Sequence, residues 1–98
     1  MMWAVRQTRR FARQYKKLSD KTAADVDAAV ATVQASPRVG ERKKGDLAAL
    51  RVHKFHSGRT LYLLGYTLDE GIHLVYLEAV GPHENFYRDL KRQGRPRF

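Results

Sequence analysis

The side chains in this chain best equipped for chemistry are Arg51, His53, Lys54, Arg59, His83 and Tyr87. Arg51, His53 and Lys54 stand together on one predicted strand, and Arg59 opens the next. His83 and Tyr87 are one helical turn apart. Imidazole titrates at about pH 6.5, so it can take or return a proton near neutrality. Lysine and arginine can hold extra negative charge at a phosphorus atom. Tyrosine can stack on a base, orient a phosphate or join a proton transfer. These types suit cleavage of an RNA phosphodiester by its own 2′-hydroxyl. That reaction needs one proton removed, another returned and the extra charge at phosphorus stabilised.

Other chemistries are poorly supplied. With no cysteine there is no thiolate nucleophile, zinc ribbon or disulfide framework. His53 and His56 are three apart, which on a strand sends them to opposite faces, so no metal site is expected. Neither GxGxxG nor GxxxxGK[ST] occurs, so no phosphate-cradling loop or nucleotide cofactor is expected. Ser19, Ser36 and Ser57 all lie in turn contexts. Each candidate also has a plainer reading. His53 and His56 suit a polar strand surface, His56 more so than His53. His73 lies in an acidic stretch, His83 suits a helix start, and Tyr87 suits a core.

The elements that must position these residues follow from periodicity. Trp3, Val5 and Gln7 alternate as a strand. Thr8 can cap a helix whose stripe is Phe11, Tyr15 and Leu18. Thr22 and Asp25 resemble a capping box for a second helix striped by Val26, Ala29, Val30 and Val33, which Ser36–Pro37 ends. Residues 37–46 read as an exposed basic loop. Period two then begins, with Leu50 and Val52 on one face and Arg51, His53 and Phe55 on the other. The strand from Arg59 to Leu68 is apolar on both faces, with Leu61 and Leu63 on one and Tyr62, Leu64 and Tyr66 on the other. A turn at 69–71 leads to a strand over 72–80, and Gly81–Pro82 stops it. A last helix spans His83–Arg92, with Phe86 and Leu90 as its buried stripe. The predicted order is β-α-α-β-β-β-α in one α+β domain over residues 1–92. Residues 93–98 follow as a basic tail.

The 98 residues carry 19 Lys plus Arg against 10 Asp plus Glu, a formal charge of +9 that favours a polyanionic partner. The excess is blocked. Residues 1–20 hold six basic side chains and one acidic, and residues 38–59 hold seven and two. Residues 60–82 hold acids only. Arg9, Arg10, Arg13, Lys16, Lys17, Lys43 and Lys44 are the candidate RNA contacts. The positive start does not suit a signal peptide, and the uncharged run at 60–68 is too short to span a bilayer. A cytoplasmic protein with no membrane partner is expected.

The segments GDLAALRVHKF (45–55), RTLYLLGYTLD (59–69) and GPHENFYRDLKR (81–92) resemble the RelE/ParE superfamily, toxins of type II toxin–antitoxin modules. The resemblance covers residues 2–92. It implies a helical hairpin packed on a small twisted antiparallel sheet and a cognate antitoxin as partner. It also implies one of two activities. RelE-, HigB- and YafQ-like members cut mRNA in the ribosome without a metal, whereas ParE-like members inhibit DNA gyrase. Carried over by position, Arg51, His53 and Lys54 match basic strand residues, and Arg59 matches an arginine entering the central strand. His83 and Tyr87 match a C-terminal histidine and aromatic. RelE itself relies on lysine, arginine and tyrosine in place of this histidine. The histidine-plus-aromatic ending favours the nuclease.

Overall fold

Two short hydroxyl side chains start the helical hairpin. In the computed structural model, which describes residues 2–92, the Thr8 hydroxyl oxygen accepts the Phe11 N–H. Ser19 accepts the Thr22 N–H in the same way. Helix α1 runs Arg9–Lys16 and α2 runs Asp20–Ala35. The cap of α2 is therefore Ser19 and not Thr22, which lies inside the first turn. Asp25 is engaged by Lys21 and Ser57 instead of closing a capping box.

The strands are β1 (Ala4–Gln7), β2 (Glu41–Arg42), β3 (Arg51–Ser57), β4 (Thr60–Asp69) and β5 (Leu74–Pro82), and α3 (His83–Arg92) ends the described fold. They form one sheet in the order β1-β5-β4-β3-β2. The expected β-α-α-β-β-β-α order is present, with two corrections. The sheet is mixed, because β1 lies parallel to β5 with Ala4 opposite Leu74. It also has a fifth strand, β2, inside what reads as a basic loop. Two residues paired with Val52 and Arg51 are too few to show a period. The basic tail predicted at 93–98 lies outside the described residues.

Ser57 reveals which way β3 faces. Its hydroxyl donates to Asp25 of α2 at 2.7 Å. By alternation Arg51, His53, Phe55 and Ser57 face the hairpin, while Val52, Lys54 and His56 face the other side. Each face has its own core. Phe11, Val26, Val33, Leu64 and Tyr66 pack between hairpin and sheet. Leu50, Val52, Leu63, Phe86 and Leu90 pack between α3 and the opposite face. Gly65 lets α3 settle there, since a Cβ at that position would come within 2.7 Å of the Phe86 ring. Among the described residues no helix is long and apolar enough to cross a membrane.

Candidate active site

Helix α3 starts where β5 stops, at Pro82–His83, so His83 stands at the rim of the sheet. The predicted stripe holds: Phe86 and Leu90 are buried. Tyr87 follows the stripe half-buried, with its ring edge-on to Phe86 at 5.1 Å. The Lys43 ammonium sits 5.4 Å from the centre of the Tyr87 ring. Interaction with Tyr87, and secondarily with Glu41, holds the Lys43 pKa above its ordinary value against the cost of desolvation.

Below His83 is a shallow depression of about 180 Å³ lined by Thr60, Leu61, Pro82, His83 and Glu84. Arg59 is exposed in the turn just before Thr60. Lys54 is exposed on the same side of the sheet, opposite Leu63 in the register. Tyr87, Lys43 and Lys54 thus lie on the α3 side of the molecule, with His83 at the start of α3 and Arg59 exposed in the turn between β3 and β4.

Arg51 and His53 do not join them. Strand alternation separates both from Lys54, although the three are neighbours in sequence. Arg51 donates to the Gly40 carbonyl at 3.1 Å and, more weakly, to that of Arg38 at 3.4 Å. It braces the connection that leads from α2 to β2. The His53 ring stacks on Phe55 at 6.4 Å, and Phe55 stacks on Tyr62 at 5.8 Å. Burial pushes the His53 imidazole below its ordinary pKa of 6.5. These are the environments of packing residues. His73 is exposed: it turns the chain at φ 52° and sets its ring edge-on to Trp3.

His56, which suits a plain polar strand surface by its spacing, lies on the other face of β3 from His53. It is exposed on the α3 side, directly opposite Leu61. Its signal is a strand register, which the sequence does not display.

The outer surface of α1 is basic. Arg9, Arg13, Lys16 and Lys17 are exposed, while Arg10 is half-buried near Glu78 and stabilises that carboxylate. Burial, the larger influence, raises the Glu78 pKa. Lys17 also lines a groove of about 420 Å³ with Gln14, Leu18, the end of β5 and Asp89. The groove connects the basic helix to the α3 side. Lys44 is exposed beside Lys43. Among the described residues no three or more His, Asp or Glu side chains gather as metal ligands.

A family model described as ParE-like toxin of type II bacterial toxin–antitoxin systems matches residues 5–91. Among solved structures, the toxin–antitoxin complex RelBE2 from Mycobacterium tuberculosis is similar at TM-score 0.73 and 27% identity. That match covers 85% of this chain and 100% of the other. A doubly substituted E. coli toxin RelE in the free state matches at TM-score 0.71 and 21% identity, over 94% and 98% of the two chains. The archaeal RelE–RelB complex from Pyrococcus horikoshii matches at TM-score 0.58 and 12% identity, over 84% and 96%. No curated protein sequence matches.

Proposed function

From the premise that the chain belongs to the ParE-like toxins of bacterial type II toxin–antitoxin systems, we propose that it cleaves ribosome-bound mRNA by attack of the RNA 2′-hydroxyl, without a metal cofactor. The observation that carries this reading is that Tyr87 and Lys54 lie on the α3 side of the sheet, with His83 at the start of α3. A histidine there can act as an acid or base, and the lysine can hold charge developing on the phosphate. Tyr87 offers its ring or hydroxyl to the neighbouring nucleotide. The cations of α1, with Lys44, supply phosphate contacts to ribosomal RNA, so cleavage should weaken steeply as salt rises. Such a target puts the protein in the cytoplasm. The similarity to solved toxin–antitoxin complexes supports a cognate antitoxin as partner. An acidic segment of it would be drawn to the basic surface.

The ParE-like description of the matched family favours a second reading, inhibition of DNA gyrase without nuclease activity. Induced expression separates the two. The nuclease reading expects primer extension to show cut cellular mRNA, and His83→Gln and Tyr87→Phe to suppress both cutting and toxicity. Intact mRNA together with double-strand DNA breaks would move the assignment to gyrase.

A further inference from the structure

We propose that His56 and His83 work as a pair, with the scissile phosphate of RNA seated between their imidazoles above Leu61. This assignment rests on the ribonuclease reading and names the second proton-transfer group of the same site.

The register carries it. His56 lies opposite Leu61, and Tyr62 lies opposite Pro82. His83, the first residue of α3 just past Pro82, lines the same depression as Leu61. His56 on β3 and His83 at the end of β5 therefore flank Leu61 on either side. Neighbouring strands are about 4.8 Å apart, so the outer two backbones stand roughly 10 Å apart. That gap suits a phosphate accepting a hydrogen bond from each side.

Leu61 has the parity of Leu63, which belongs to the core beneath α3, so Leu61 and its partner His56 face the α3 side, where α3 begins at His83. His56 and His83 are both exposed and can meet a substrate. The charged groups around them are Lys54 on the strand of His56, Arg59 in the adjoining turn and Glu84 in the depression. Leu61 and Leu63 of β4 add none. Lys54 therefore stands on the same face as the phosphate, and Glu84 is a carboxylate available beside His83.

The step balances. One neutral imidazole takes the 2′-hydroxyl proton as the 2′-oxygen bonds to phosphorus. The other, as imidazolium, gives a proton to the 5′-oxygen as the P–O5′ bond breaks. The products are a 2′,3′-cyclic phosphate and a 5′-hydroxyl, and no co-reactant is consumed.

The test uses purified full-length toxin, ribosomes programmed with mRNA, and the substitutions His56→Gln and His53→Gln. His56→Gln should lower kcat by about 10²–10⁴-fold with little change in KM, and should remove one limb of a bell-shaped pH profile. His53→Gln, on the other face, should stay within a few-fold of wild type. Separately, titrating the protein with adenosine 3′-monophosphate should shift the imidazole NMR signals of His56 and His83 together and leave His53 in place. Wild-type cleavage that survives His56→Gln overturns the pair, as does a titration that moves His83 without His56. If the wild-type protein leaves ribosome-bound mRNA intact, the ribonuclease reading fails instead. The titration then decides alone whether the two histidines share a phosphate.

Discussion

On the hairpin side of the sheet, Tyr66 is fully buried and both functions of its hydroxyl are used. It donates to the Pro37 carbonyl at 2.7 Å and accepts the Gly40 N–H at 2.8 Å. Ser57, Gln34 and Gln14 likewise each end on a partner from another element. On the α3 side the core is smaller, and its rim carries Lys43, Lys54, His56, His83 and Tyr87. Several of these are exposed cations or imidazoles. The two faces divide the labour. The hairpin side supplies order through burial and satisfied hydrogen bonds. The α3 side keeps titratable groups in water, where they can meet a polyanion.

Three substitutions probe that division. The largest effect belongs to Leu90→Ala. Leu90 is fully buried and anchors α3, and its truncation should cost about 2–5 kcal/mol. Cleavage should be lost as α3 loosens, while hydrogen exchange in α2 stays slow. Equal loss of protection in α2 and α3 would show that the two faces are one cooperative unit. Tyr66→Phe comes next. It leaves the Pro37 carbonyl and the Gly40 N–H without their partner, which should cost about 1–3 kcal/mol in urea unfolding. Cleavage at low temperature should be unchanged.

The smallest effect is on acid sensitivity, through His53. Its folded pKa lies below the unfolded value of 6.5 because burial disfavours the imidazolium. The unfolded chain therefore binds the proton more readily. Stability is full above about pH 6.5 and declines as the pH falls toward the folded pKa. His53→Gln should flatten that decline without altering the cleavage profile. A changed cleavage profile would put His53 back in the site.

Much of this was legible in the sequence. The Phe86–Leu90 stripe predicted the buried side of α3, and alternation at Leu61, Leu63, Leu64 and Tyr66 predicted a strand covered on both faces. Thr8 was readable as a cap because its partner is three residues away. What was not legible depends on distant partners. β1 runs parallel to β5 across the whole intervening chain, and β2 is too short to have a period. The site shows the same limit. Arg51, His53 and Lys54 look like one basic cluster in sequence, yet the pleat of β3 divides them. The face that His56 occupies is set by its pairing with Leu61, which no local pattern shows.

The central claim is that the cleaving chemistry lies on the α3 side. It is tested most directly by single-turnover cleavage of ribosome-bound mRNA with wild type, His83→Gln and His53→Gln in parallel. Wild type should cut, His83→Gln should be slower by about 100-fold or more, and His53→Gln should remain close to wild type. Full activity in His83→Gln with loss in His53→Gln would contradict the account and move the active site to the hairpin side.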